Sequence, residues 1–293
     1  SGTLSNGETV IVTSDGKVTG ISSITQVGTP AVYETASIVY TSAVYDSTNG
    51  KVVVAYRDTG NSNHGTAVVG TVSGTSISFG TPVEFNSDTT NYISATFDST
   101  NGKVVIAYRD DNNSDKPTAI VGTVSGTSIS FGTAVVAVNT QASYCVATFD
   151  SSNNKVVIAF RDTGNSNYGT AVVGTVSGTS ISFGAEAVFE SAAVADISLT
   201  FDTTNNKVVI SYRDGGNSDY GTAIVGTVSG TSISFGTAVV FNTAETNDIC
   251  KPITFDSTNG KVVIVYRDVG NSNYATAIVG TVSGTSISFD TAV

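Results

Sequence analysis

Short runs of Val, Ile and Ala alternate along this chain with polar turn signals, and the whole alternation recurs at a fixed period. The string Gly-Thr-Val-Ser-Gly-Thr-Ser-Ile-Ser-Phe begins at Gly70, Gly122, Gly174, Gly226 and Gly280, at spacings of 52, 52, 52 and 54 residues. Self-similarity of this length marks solenoids, propellers and other repeat architectures. Five repeats follow, at 28–79, 80–131, 132–183, 184–235 and 236–289, the last with two extra residues around 250–252.

Within repeat 80–131 the pattern predicts four strands, at 93–98, 103–109, 118–124 and 128–131. The Asn-Gly of Ser99-Thr100-Asn101-Gly102 is a strong hairpin signal because both residues tolerate positive φ. The second and third strands are almost continuously Val, Ile, Ala and Gly, so both of their faces must be covered. Four antiparallel strands in about fifty residues, arranged radially, give an all-β five-bladed β-propeller of four-stranded antiparallel blades, period 52–54. A solenoid of stacked hairpins competes, but it would require polar capping repeats, and neither terminal repeat has that character. Residues 1–27 stand apart. Their segment 8–21 reads as two strands around Ser14-Asp15-Gly16-Lys17, a hairpin that would close the ring or attach it elsewhere, with 28–293 as the propeller.

Composition narrows the function. The 293 residues carry a formal net charge of −11, and charged residues make up only 13%. A chain this acidic lacks the basic stripe that nucleic acid requires. No apolar run is long enough to span a bilayer, so membrane insertion is not expected. The two cysteines, Cys145 and Cys250, read as buried apolar thiols, with a disulfide left open.

Catalytic motifs are missing: there is no nucleophile elbow, zinc-binding helix, Walker loop or dinucleotide loop. The single histidine, His64, stands where other repeats have Tyr or Lys. Carboxylates outside the repeated positions, such as Glu34, Glu190 and Asp196, form no evident glycosidase pair. The oxygen-rich loop 110–115 lacks the terminal Glu and fixed Gly of a calcium-binding loop. Neither an enzyme, nor a cofactor, nor a metal is expected.

Repetition itself singles out candidate residues. All five arginines occupy one repeat position, Arg57, Arg109, Arg161, Arg213 and Arg267, and each is followed by an aspartate: Asp58, Asp110, Asp162, Asp214 and Asp268. Downstream stand Tyr168, Tyr220 and Tyr274 among Asn, Gly and Ser. One reading makes these five equivalent pockets for sugar hydroxyls or acidic sugars, gaining avidity by number. The other makes Arg and Asp a latch between adjacent blades. The crossovers beside them (33–41, 85–92, 137–144, 189–197 and 241–252) differ most between repeats and are expected as loops on the binding face.

The stretches ISATFDSTNGKVVIAYRD and TAVVGTVSGTSISFG resemble repeats of predicted tail-fibre and other surface proteins of marine phages, and the N-terminal GTLSNGETVIVTSDGKVTGI resembles the segment that precedes such repeats. The resemblance covers nearly the whole chain. It implies an extracellular or virion-surface adhesin that recognises a host-surface glycan as part of a larger assembly. A structural decoration is the alternative, and a glycosidase comes third. A second resemblance, to five-bladed lectins of the tachylectin type, concerns architecture alone.

Overall fold

The third strand of each repeat is longer than the fourth strand beside it, and that mismatch shapes the fold. In the computed structural model, which describes residues 10–12, 17–20, 28–246 and 253–290, the second repeat runs through Val83–Asp98, Lys103–Asp110, Lys116–Ser125 and Ser128–Phe131. The fourth strand covers only the 122–125 half of the third. The remaining edge would be left with bare N–H and C=O groups, a liability that sheets normally cover. Here it is covered by the crossover to the next repeat, as Val135 and Val136 pair with Ala119 and Thr118.

Three crossovers, Val83–Asp98, Ala187–Asp202 and Val239–Glu245, are therefore largely strand rather than the loops expected from their polar, variable sequence, whereas residues 137–141 and 31–37 are not strand. Val83–Asp98 first pairs with the third strand of repeat one, at Ala67↔Val83 and Thr66↔Glu84. It then becomes the first strand of repeat two, at Thr96↔Val105 and Ser94↔Ala107. Ala187–Asp202 does the same between repeats three and four. These shared strands fuse the repeats, giving two nine-stranded sheets, one four-stranded sheet and a two-stranded hairpin, all antiparallel. The all-β, antiparallel, repeated architecture thus stands. The hydrogen-bonded sheets do not divide into five separate blades, because the crossover strand is shared by two repeats. Among the described residues no strand pairing joins the fifth repeat to the first.

Tight turns fix each unit. Asp98 is buried, and its Oδ1 accepts from the amides of Thr100 and Asn101 at 3.0 and 2.9 Å while Oδ2 accepts from Asn101 Nδ2 at 2.7 Å. Gly102 then turns with φ +61°, and where repeats three and four lack that glycine, Asn154 and Asn206 take φ +54°, as the short amide side chain permits.

The core lies between units rather than inside them. Each unit offers a small flat face, such as Val53, Ala55, Ala67 and Val69. It packs against the large face of the next unit, such as Phe85, Ile93, Ile106, Tyr108 and Ile129. The same pairing recurs at the following joints. Cys145 sits in the second joint as a free thiol, and burial pushes its pKa up to about 12; Cys250 lies outside the described residues. At the N-terminus, Val10–Val12 pairs with Val18–Gly20 as a hairpin. No helix among the described residues is long and apolar enough to cross a membrane.

Candidate functional site

The Arg and Asp of each repeat are neighbours on one strand, so their side chains leave on opposite faces. The structure separates them accordingly. The aspartates close their own loops: Asp58 Oδ1 accepts from the amides of Gly60 and Asn61 at 2.9 and 3.1 Å, and Asp214 Oδ1 from Gly216 N at 2.9 Å. Asp162 and Asp268 accept instead from crossover side chains, Thr140 Oγ1 at 2.6 Å and Asn242 Nδ2 at 3.2 Å. Asp110 is buried with its pKa raised, first by burial and then by the charge of Asp88.

The arginines meet a different partner. Opposite Tyr56, between the pairs Val39↔Arg57 and Ser42↔Ala55, the first strand inserts one extra residue. Such a bulge re-aims a side chain and is frequent beside functional sites. The bulge residues are Tyr40, Tyr92, Tyr144 and Asp196, with φ of +52°, +51°, +56° and +52°. A tyrosine in this left-handed region is strained by about 1–3 kcal/mol, and such strain gathers at functional sites.

Three tyrosines from three consecutive units consequently form a row. Ring centroids of Tyr40 and Tyr92 lie 5.2 Å apart, and those of Tyr92 and Tyr144 5.3 Å apart. Each ring carries a guanidinium over it, Arg57 on Tyr40 at 5.0 Å, Arg109 on Tyr92 and Arg161 on Tyr144 at 5.1 Å. Burial raises the phenol pKa of Tyr92, and the neighbouring Tyr40 adds to it, while Arg109 opposes. In the fourth unit Asp196 replaces the ring, and its Oδ2 lies 3.2 Å from Arg213 Nε.

The five arginines are thus not equivalent. Arg57 Nη1 donates to Asn91 Oδ1 of the next unit, and Asn91 Nδ2 donates at 2.6 Å to Asp111, which also holds Arg109 Nε at 2.7 Å. This chain ties units one and two. Arg161 donates to Ser143 Oγ, at 2.9 Å. Arg213 lies near Asp219 as well, at 3.3 Å. Tyr168 and Tyr220 begin the third strands opposite Asp162 and Asp214, and Tyr274 is 63% exposed. Among the described residues, Tyr168 and Tyr220 make no ring contact with Arg161 or Arg213, whose guanidiniums turn to the other face. The period of 52 relating Tyr40, Tyr92 and Tyr144 is present in the sequence, but only the bulge reveals where those rings point.

A groove of about 470 Å³ opens in the third unit among Ala137, Thr140, Asp162, Asn165 and Glu186. Ala137, which is part of that lining, stands where the other units have Tyr33, Phe85, Phe189 and Phe241.

No protein-family model matches the chain, and neither does any curated protein. Solved structures do match. The chain is similar in fold to AofleA of Arthrobotrys oligospora. That structure aligns with a TM-score of 0.53 at 11% identity, covering 82% of this chain and 68% of AofleA. An AofleA variant with three arginines replaced by alanine aligns at 0.55 and 10% identity, covering 85% of this chain and 72% of the variant. The three replaced arginines of that variant are spaced 53 residues apart, close to the period of the arginines here.

Proposed function

We propose that the chain is a non-enzymatic, carbohydrate-binding module built as a five-bladed propeller, with its binding surface at the Arg–Tyr row. The observation that carries this reading is the set of three strained tyrosines, each stacked under a guanidinium. Aromatic faces pack on the C–H faces of sugar rings, and guanidinium forks hold hydroxyls or carboxylates in fixed geometry. Arginines spaced 53 residues apart in a protein of similar fold draw attention to the same repeated feature. The low charge density and the absence of a catalytic motif favour binding over chemistry.

The resemblance of the repeats to phage surface proteins supports a place on a virion or cell surface, within a larger assembly, with a host glycan as partner. A structural role for part of the row has its own support in the Arg57–Asn91–Asp111–Arg109 chain, which links two units. The test is a glycan array probed with the purified protein and with a Tyr92→Asn, Tyr144→Asn double variant. Saturable hits lost in the variant support the proposal. Silence of the wild type across the array overturns it in favour of the structural role.

A further inference from the structure

The two end units each leave partly uncovered the face that every internal unit buries. On unit five the small face is open: Val265 and Val279 are each 37% exposed, whereas their counterparts Ala107 and Val121 are fully buried. On unit one the large face is open at one end, while Val54, Tyr56 and Val68 are covered by Tyr33 and Phe79. Tyr45 and Val72 are 59% and 58% exposed, whereas Phe201 and Val228, their counterparts in unit four, are at 7% and 6%. One orphan face is small and the other large, the same complementary pair that makes the four internal joints.

Residue sizes at these faces have changed together. Internal small faces carry Ala55, Ala107, Ala159 or Ser211, and Gly65, Gly169 or Gly221 on the adjacent strand, but unit five carries Val265 and Ala275. Internal large faces carry Ile106, Ile158, Ile210 or Ile264, and Ile93, Cys145 or Ile197, but unit one carries the smaller Val54 and Thr41. Methyl groups gained on one face are matched by groups lost on the other. In a close-packed interface that is the expected signature of contact. The chain shows the same compensation at its second joint, where Pro117 replaces the usual glycine and Ala137 replaces the usual phenylalanine.

The open strand edge has a counterpart too. At every internal joint a third-strand Thr pairs with a crossover residue: Thr66↔Glu84, Thr118↔Val136, Thr170↔Val188 and Thr222↔Val240. In unit five the corresponding Thr276 pairs with no crossover strand, because none follows among the described residues. In unit one the corresponding crossover residues 31–37 are outside any strand, and Val32 is 75% exposed.

We infer that unit five docks on unit one of the same chain, with residues 31–37 adding as an edge strand to Tyr274–Ser283 in the register Thr276↔Val32 and Ala277↔Ala31. This deepens the ring reading proposed above and rests on it. Strand addition supplies main-chain hydrogen bonds to both unpaired edges. The ring of Tyr33, which stacks on Tyr56 and Phe79 at 5.4 and 5.2 Å, must tilt to clear the methyl of Ala275. In the internal joints a Cβ built on Gly65, Gly169 or Gly221 meets the edge of the facing phenyl ring first, at 2.3–2.4 Å. At Gly65 and Gly221 it also meets a threonine side chain, Thr90 Oγ1 at 2.9 Å and Thr246 Cγ2 at 2.7 Å, so ring and hydroxyl side chain would both have to give.

The test is disulfide trapping in the full chain. Facing residues of an antiparallel pair have Cα atoms about 4.5–5.5 Å apart, inside the range a disulfide bridges. Under mild oxidation a Val32→Cys, Thr276→Cys variant is expected to form an intramolecular 32–276 link, found by peptide mapping. A Thr66→Cys, Glu84→Cys variant serves as the internal control. Failure of the 32–276 link where the control links overturns the proposal, and so does a link formed between two molecules. Small-angle scattering separates this register from the ring itself. A compact particle of about 19 Å radius of gyration without the link keeps the ring and discards the register, whereas an elongated particle discards both. Glycan binding enters neither readout.

Discussion

The guanidinium of Arg109 lies 5.1 Å from the ring centre of Tyr92, and Tyr92 holds that position only by adopting φ +51°. The backbone strain and the stacking are therefore one arrangement: the bulge turns the ring toward the arginine, and the arginine and flanking tyrosines hold it there. Asparagine accepts left-handed φ readily, so Tyr92→Asn relieves strain of about 1–3 kcal/mol. It also forfeits the cation–π contact, about 0.5–1 kcal/mol, and ring contacts of about 0.5–1.5 kcal/mol each. These terms nearly cancel. Stability by urea denaturation is expected to change by about 1 kcal/mol or less, while glycan binding falls at least about tenfold. A loss of about 3 kcal/mol with binding intact would make Tyr92 a structural keystone instead.

The arginines are expected to divide by partner. Arg57→Ala cuts the link to Asn91 across a joint, and Arg109→Ala leaves Asp111 with a single amide partner, so each should cost about 1–2 kcal/mol. Arg161 has a hydroxyl and a ring but no carboxylate partner among the described residues, and Arg161→Ala should cost less than about 1 kcal/mol. Chemical denaturation of the three variants decides the matter. Equal losses at all three positions would mean that the repeated arginine is a latch in every unit.

How much of this was legible in the sequence depends on what each feature is made of. Period, strand positions and turns are local: Val-Val-Ile-Ala runs and the Asn-Gly of residues 101–102 declare themselves residue by residue. The strand character of residues 83–92 is not local. Asn86-Ser87-Asp88-Thr89-Thr90 lacks hydrophobic alternation, and it is strand because the third strand twenty residues upstream has an uncovered edge. The row of tyrosines is hidden for a related reason. A bulge is a mismatch in residue count between two strands, so nothing at Tyr92 alone shows that its ring turns toward Arg109. Arg and Asp stand side by side in the sequence, and strand alternation is what parts them.

Alkaline pH should weaken the fold. Burial raises the pKa of Cys145 to about 12, and burial, with nearby carboxylates, raises those of Tyr56, Tyr108 and Tyr212 above the usual phenol value of 10.0. In the unfolded chain these groups lose protons near pH 9 for the thiol and pH 10 for the phenols, while the native chain retains them. The unfolded state then binds fewer protons, so unfolding free energy falls as pH rises, by about 1.4 kcal/mol per pH unit for each group in its window. Stability is expected to be flat in this respect below pH 8 and to decline progressively above pH 9, steepening beyond pH 10. Melting temperatures across pH 7–11 test it, and a flat profile to pH 11 would show that these groups ionise as readily folded as unfolded. By the same burial, Cys145 should resist a thiol reagent at pH 8 until the protein is denatured.

The second joint offers a sharper test of how the repeats fit, and of where ligand binds. At the first, third and fourth joints a phenylalanine stands over a glycine, and a Cβ on that glycine would lie 2.3–2.4 Å from the ring. The second joint has Pro117 in place of the glycine and Ala137 in place of the ring, and Ala137 also lines the groove beside Thr140 and Asp162. Ala137→Phe alone should force a phenyl ring against the pyrrolidine and cost about 1–3 kcal/mol by overpacking. Pro117→Gly alone should also destabilise, by emptying the space under Ala137 and by freeing the unfolded backbone. The double variant rebuilds the arrangement of the other joints, so its loss should be smaller than the sum of the single losses by at least about 1 kcal/mol. Additive losses would mean that the two positions do not touch. Because Ala137 lines the groove, the double variant also alters that surface: retained glycan binding leaves the Arg–Tyr row as the site, while lost binding with native stability moves the site to the groove.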